Sequence, residues 1–246
     1  MAPKDFKELE DMMECAIRLD GPVVIRYPRG GEAKEKFITH AYIQYKKCDV
    51  LTLGSDVTIL AIGNQVSKAM NIYRKLKQCN IKAEVINARF LKPFDKYAVL
   101  RSITKTKFVV TIEDNSLIGG LGAEVKEIIS EKRIPNIIIR CFGYPDVFVE
   151  HGTPQELEEI YKMDEKSIFE YIKNTIKYKK VDEQKDELKD NFQNISKNDK
   201  YQYIRKKENY QYMKKEEYYK SKERRKDAWL DKRRVRKKCR FKVWRI

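Results

Sequence analysis

The chain has 246 residues, of which 41% are hydrophobic and 37% charged, and its formal net charge is +16. This apolar content is enough for a core, and no apolar run approaches the roughly 20 residues that a membrane-spanning helix needs. Five scattered cysteines without a CxxC pair and only two histidines argue against a disulfide framework or a zinc site, and they are typical of a reducing compartment. The opening MAPKDFKELE lacks the apolar centre of a secretory leader, so we expect none.

The positive charge is concentrated at the end of the chain. Of the 53 basic and 37 acidic residues, 23 and 12 fall in residues 181–246. The last glycine is Gly152 and the last proline is Pro154. We therefore expect a folded region followed by a basic tail over 177–246, interleaved with tyrosines, that is helical or disordered.

The first predicted element is a helix from a cap at Asp5 to about Leu19. Its apolar residues recur at helical spacing and predict one buried face. That face consists of Phe6, Leu9, Met13, Ala16 and Ile17.

Residues 21–30, GPVVIRYPRG, predict a short buried strand over 23–27. Pro28 cannot continue a sheet ladder, so Arg26 and Arg29 come to lie at a strand end. Two guanidinium groups at such a position suit a phosphate or a carboxylate. The alternative is that one arginine pairs with a surface carboxylate and the other is solvated.

Residues 31–49 are interpreted as a linker. From Val50 onward, predicted strands alternate with predicted helices. Apolar runs predict strands at 57–62, 82–87, 107–112 and 136–141, and helices at 66–77, 95–103, 122–132 and 153–178. This alternation predicts an α/β fold with a mostly parallel sheet and helices on both faces. We place the compact domain at 50–176 and interpret residues 1–30 as the last helix and strand of another, truncated domain.

Two motifs inside this region have competing interpretations. The glycine-rich turn at 119–122 can cradle a phosphate with its backbone N–H groups, but it lacks the GxGxxG spacing, and close helix–strand packing is the favoured explanation. In the segment 87–95, NARFLKPFD, Arg89 is expected to pair locally. His151 is expected to make a local hydrogen bond, and Cys141 is expected to lie in the apolar core.

Read in order, five motifs resemble the C-terminal part of the 1-deoxy-D-xylulose-5-phosphate synthase family of the transketolase superfamily. They are MAPKD, GPVVIRYPRG, NARFLKPFD, EDN with GGLG, and PDVFVEHG. The resemblance covers roughly 70% of the chain, from Met1 to about Lys173. It implies that residues 1–30 end a pyrimidine-binding domain and that 50–176 form the transketolase C-terminal domain.

The resemblance implies a thiamine-diphosphate- and Mg²⁺-dependent transferase that joins pyruvate to glyceraldehyde 3-phosphate, releases CO₂ and feeds isoprenoid, thiamine and pyridoxal biosynthesis. It places the phosphate of the acceptor sugar on Arg29, with Arg26 as second choice. No Gly-Asp-Gly cofactor motif occurs in the sequence, so no cofactor, metal or catalytic residue is assigned, and the chain is expected to be inactive alone. The family further implies a homodimer at full length, in the cytoplasm or a plastid, without a membrane partner.

Two alternatives stay open. One is the C-terminal part of a transketolase or of a 2-oxoacid dehydrogenase beta subunit, which GPVVIRYPRG together with VEHG disfavours. The other is a stand-alone α/β domain whose basic tail binds nucleic acid or a partner protein. Residues 181–246 are its only candidate surface, and no RNA-binding signature accompanies them.

Overall fold

The computed structural model describes residues 1–28 and 43–193, and side chains up to residue 179. The chain divides into two units, Met1–Lys179 and Lys180–Ile246. The first unit contains the sheet and its cores. Of the second, the structure describes the helical backbone to Gln193.

Eleven elements lie in the described residues. In chain order they are α1 (Phe6–Ile17), β1 (Asp49–Thr52), β2 (Val57–Ala61), α2 (Gln65–Gln78), β3 (Ala83–Asn87), α3 (Lys96–Thr106), β4 (Phe108–Ser116), α4 (Leu121–Glu131), β5 (Ile138–Tyr144), α5 (Pro154–Ile160) and α6 (Glu165–Gln193). No helix in the described part of the chain is long and apolar enough to span a membrane.

The five strands form one sheet in the order β1-β3-β2-β4-β5. The pairs β2–β3, β2–β4 and β4–β5 are parallel, whereas β1 is antiparallel to β3. The central strand β2 is completely buried, because helices cover both faces of the sheet. The predicted fold class is confirmed.

Two apolar cores lie on opposite faces of the sheet, and side chains along β2 alternate between them. On one face Ile59 packs with residues of α2 and α6, including Ile72 and Ile172. On the other face Leu60 packs with residues of α3 and α4, such as Ile103. The helix after β2 and the helix after β4 therefore cover opposite faces.

The predicted buried strand at 23–27 is wrong. The segment is extended but belongs to no strand, and Val24 is 78% exposed. Its backbone meets Met1 through two hydrogen bonds, from Met1 N to Val24 O (2.7 Å) and from Arg26 N to Met1 O (2.9 Å). A single residue cannot provide a sheet ladder, and none of the strands that the structure describes lies beside the apolar run to complete the pairing.

The predicted apolar face of α1 is also wrong, although Asp5 caps the helix as expected by accepting from Glu8 N. Phe6 and Met13 are each 55% exposed, and Ile17 is 85% exposed. The buried face instead carries Glu8, Asp11, Met12 and Cys15. Sequence periodicity favours the apolar stripe, and here a set of ion pairs outweighs it.

Candidate functional site at the carboxyl edge of the sheet

A buried network of charges joins α1 to the sheet. The Glu8 carboxylate accepts from Arg89 Nε (2.6 Å), Lys4 Nζ (3.2 Å) and Asn87 Nδ2 (3.0 Å). Arg89 Nη2 donates in turn to Asp49 Oδ2 at 2.9 Å. The Glu8 and Lys4 side chains are fully buried and that of Arg89 is 4% exposed. Each charge is therefore paired where it cannot be hydrated.

Arg89 is the centre of this network, so the expectation that it pairs locally is wrong. It follows β3 in a left-handed conformation with φ of 55°, which is uncommon for a residue with a side chain. Its backbone N–H donates to Asn87 Oδ1 and its carbonyl accepts from Ala2 N. One residue thereby links the end of β3, the edge strand β1 and the N-terminal segment.

The N-terminal segment and the carboxyl ends of the parallel strands line an open cavity of about 670 Å³. Ile62, which follows β2, and Asn115, near the end of β4, both line it. β2 and β4 are neighbours whose following helices cover opposite faces. The cavity therefore lies at the topological switch point, where open α/β sheets bind their ligands.

Arg26, one of the two predicted phosphate ligands, lines this cavity, and its Nη1 donates to the Asp114 carbonyl at 3.5 Å. Arg29, the first choice, lies outside the described residues. The structure therefore gives no distance between the two arginines. Lys92 also lines the cavity, and sequence reasoning missed it because a lysine before a proline carries no local signal.

The glycine-rich turn holds a carboxylate of the chain itself. Glu113 Oε2 accepts from Leu121 N (2.7 Å) and Oε1 accepts from Gly122 N (2.9 Å), at the start of α4. A Cβ on Gly120 would clash with Glu113 Oε2, and one on Gly122 would meet Cys141 Sγ at 2.7 Å. Both glycines are thus explained by close packing, the favoured interpretation, and the N–H groups of Leu121 and Gly122 are already satisfied.

Burial raises the pKa of the Glu113 carboxyl, while its two backbone hydrogen bonds and the nearby Arg26 charge act to lower it. The net shift is upward because the side chain is almost completely buried. Desolvation therefore outweighs the favourable contacts.

The residues of this edge do not suit Mg²⁺. Within residues 1–28 and 43–179, whose side chains the structure describes, no three acidic, histidine or cysteine side chains are grouped so as to hold a metal ion. The charged groups that line the cavity are mainly cationic, which suits an anion rather than Mg²⁺. No cofactor site is assigned to this part of the chain.

Residues 46–168 match the model of the transketolase C-terminal domain family. The chain belongs to this family. Curated relatives are more specific: the chain is 43% identical over 171 residues to the 1-deoxy-D-xylulose-5-phosphate synthase of Halothermothrix orenii, covering 69% of this chain and 27% of that enzyme. It is 37% identical over 164 residues to the synthase of Desulforudis audaxviator, covering 65% and 26%.

A solved structure described as a split-gene transketolase, inactive beta4 tetramer, is 32% identical with a TM-score of 0.65, covering 72% of this chain and 57% of that one. The chain is thus similar to the C-terminal part of 1-deoxy-D-xylulose-5-phosphate synthases. It spans about a quarter of the length of the curated relatives it matches.

The buried network predicts a large loss of stability when its central cation is removed. Arg89→Met removes the cation that the buried Glu8 and Asp49 carboxylates both contact. We expect the free energy of unfolding, measured by urea titration at pH 7, to fall by about 3–5 kcal/mol.

Arg18→Met is the matched control, because Arg18 belongs to the same N-terminal segment but pairs with the exposed Glu14 at 3.8 Å. We expect it to cost less than about 1 kcal/mol. Equal losses in the two variants would contradict the role given to the buried network.

Glu113 predicts a pH dependence of stability. A carboxyl whose folded-state pKa is raised stabilises the fold below its unfolded pKa, near the ordinary value of 4.5, and that contribution is lost as pH rises through the folded pKa. Wild type should therefore lose stability relative to Glu113→Gln between pH 4.5 and pH 7, measured by urea unfolding at several pH values. A difference that stays constant or moves the other way would refute the upward shift.

Proposed function

We propose that this chain provides the C-terminal part of a thiamine-diphosphate-dependent 1-deoxy-D-xylulose-5-phosphate synthase. That transferase joins pyruvate to glyceraldehyde 3-phosphate, releases CO₂ and serves isoprenoid precursor synthesis. The observation that carries the proposal is the 43% identity to the Halothermothrix orenii synthase over 171 residues. The 171 aligned residues are more than the family domain at 46–168 contains.

In this role the chain positions the acceptor substrate and does not supply the cofactor chemistry. Thiamine diphosphate, bound with Mg²⁺ elsewhere in the enzyme, supplies the carbanion chemistry. The sheet and the Glu8–Arg89 network hold the extended segment 21–28 against the carboxyl edge. By resemblance, Arg29 then presents its guanidinium to the acceptor phosphate, which fixes the aldehyde for attack.

Synthase chemistry is favoured over transketolase chemistry by the relatives. Identity to the synthases of several bacteria is 36–43%, against 32% to the split-gene transketolase. The resemblance also suggests a dimer at full length, a cytoplasmic location and no activity of this chain alone. The split-gene transketolase, described as an inactive beta4 tetramer, is a precedent for inactivity of a related chain encoded by a split gene.

A chimera tests the proposal directly. The portion of the Halothermothrix orenii synthase that aligns with this chain is replaced by the matched residues of this chain, and product formation from pyruvate and glyceraldehyde 3-phosphate is measured with thiamine diphosphate and Mg²⁺. We expect the chimera to keep at least a tenth of the parent's kcat, and this chain alone to form no product. A folded chimera without activity, or an active isolated chain, would contradict the proposal.

The phosphate assignment has its own test in the same chimera. Arg29→Gln should raise the KM for glyceraldehyde 3-phosphate at least tenfold and leave the KM for pyruvate within threefold, because the lost charge contacts only the acceptor. Arg26→Gln is the matched variant. If Arg26→Gln alone raises the acceptor KM, the role passes to Arg26.

A further inference from the structure

We propose that the amino edge of the sheet, at the end opposite the cavity, binds single-stranded nucleic acid through its phosphates and one exposed tyrosine. The amino-edge surface consists of Lys82, Lys107, Lys132, Arg133 and Tyr178. All five residues belong to the unit Met1–Lys179. The inference does not depend on the proposed synthase activity. It adds a surface within the folded unit to residues 181–246, which the sequence alone singled out.

The first argument is where these residues lie. Lys82 precedes β3 and Lys107 precedes β4, the two strands that flank β2. The Lys82 carbonyl accepts from Ser55 N (3.0 Å) and Asp56 N (2.9 Å), just before β2. The Lys107 carbonyl accepts from Ile138 N (3.0 Å) at the start of β5. The starts of four parallel strands therefore meet here, and two strand spacings of about 10 Å separate the backbones of the two lysines.

Three helices bring further groups of the amino-edge surface to the same place. Lys132 and Arg133 directly follow α4 and precede β5, and both are exposed. On α6, Lys179 Nζ donates to the Thr106 carbonyl at the end of α3 (3.1 Å). This contact brings the neighbouring Tyr178, which is 65% exposed, to the amino edge. An exposed aromatic ring beside several cations is the combination on which unpaired bases stack.

The second argument is that the chain does not neutralise the four cations of this surface. Among the described residues their side chains have no ion-pair partner. The acidic side chains of the amino edge are engaged elsewhere. The buried Glu84 pairs with Lys105, the Asp56 carboxylate accepts from a backbone N–H at 2.8 Å, and Glu131 approaches Lys96 at 3.7 Å. The amino-edge surface therefore keeps its positive charge for a partner.

Helix ends alone do not account for these charges. A cation near the C-terminus of a helix stabilises it, but Lys179 already binds the last turn of α3. The Lys107 side chain is therefore not required there, and Lys82 lies beyond Gln78, where α2 ends. An extended polyanion gives these cations a purpose, because each one that neutralises a phosphate releases a condensed counterion.

Nucleic acid suits this edge better than an anionic membrane does. Membrane binding by a charged surface grows with the apolar area that enters the lipid. Among the described residues of the amino edge, the exposed large aliphatic side chains are only Leu53 and Ile138, the latter 37% exposed. Residues 181–246, which follow in sequence, carry 23 basic and 12 acidic residues and six tyrosines. Cations interleaved with aromatic residues are typical of proteins that bind single strands.

The test is fluorescence anisotropy of the full-length chain with a labelled oligouridylate of about 20 nucleotides, between about 50 and 200 mM salt. We expect saturable binding whose association constant falls linearly with salt on logarithmic axes. The double variant Lys82→Gln/Lys107→Gln should weaken binding at least fivefold at the lowest salt. It should also reduce the magnitude of the salt slope by about 1.4, because single strands release about 0.7 counterion per contacted phosphate.

The matched control is Lys162→Gln/Lys166→Gln, which removes the same charge from two exposed lysines near the start of α6. Lys166 lies 13 residues, or about 20 Å, from the end of α6 that reaches the amino edge. Lys162 also shares with Lys107 a left-handed backbone, with φ of 56° in both. We expect this control to change the affinity less than twofold.

Two tyrosine variants separate stacking from charge. Tyr178→Ala should weaken binding at least fivefold and leave the salt slope unchanged, because it removes a ring and no cation. Tyr97→Ala should change the affinity less than twofold, because Tyr97 is 75% exposed but lies in the first turn of α3, away from the amino edge.

Three results would overturn the proposal. The first is an equal loss in the two lysine double variants, and the second is oligouridylate binding that Lys82→Gln/Lys107→Gln leaves unchanged, which would assign binding to residues 181–246 alone. The third uses vesicles with about 30% phosphatidylserine: a variant that loses vesicle binding and keeps oligouridylate binding would assign the edge to a membrane.

Discussion

The ion pair between Glu8 and Arg89 is the contact on which the arrangement of the N-terminal segment depends. Glu8 is on the first helix and Arg89 follows the third strand, 81 residues later. Both are buried, so separating them exposes neither to water until the segment itself leaves the sheet. The pair therefore fixes where Met1 lies, and the two hydrogen bonds of Met1 fix where the Val24–Arg26 backbone lies.

The same contact determines what the carboxyl edge can bind. Without the N-terminal segment, the ends of β2, β3 and β4 form an open edge with one cationic residue, Lys92, among those that line the cavity. With it, Arg26 is added and the edge becomes a cavity. The Glu113 carboxylate accepts from the backbone N–H groups at the start of α4. Its hydrogen bonds are therefore made to the helix and not to the cationic side chains that line the cavity.

The sequence predicted the central strands of the sheet well, but it predicted the edge strand β1 and the buried face of α1 poorly. Both outcomes have physical reasons. Apolar runs such as 57–62 identify strands, and the structure confirms all four that were predicted, although the edge strand β5 is only partly buried. Strand β1 was missed because its four residues, Asp49–Thr52, form a half-buried antiparallel edge without alternation. The buried face of α1 was mispredicted because Glu8 is buried by partners that lie far away in sequence, which periodicity does not register.

The site shows the same limit. Arg26 was predicted as an anion-binding residue because its charge and the nearby proline are local signals in the sequence. The strand that was expected to end there is not formed. Lys92 and Asn115 were not predicted, because only the crossing of the chain at β2 brings the ends of β3 and β4 to one place. The resemblance supplied Arg29, whose position lies outside the described residues.

Native-state hydrogen exchange tests most directly whether the Glu8–Arg89 network makes the first helix part of the fold. The short helix α5 is the internal reference, because it is capped but has no buried residues. We predict that the α1 amides are protected to within about tenfold of the β2 amides, and at least about a hundredfold more strongly than those of α5. Exchange of α1 at the rate of α5 would show that the network does not hold the segment on the sheet, and would contradict the account.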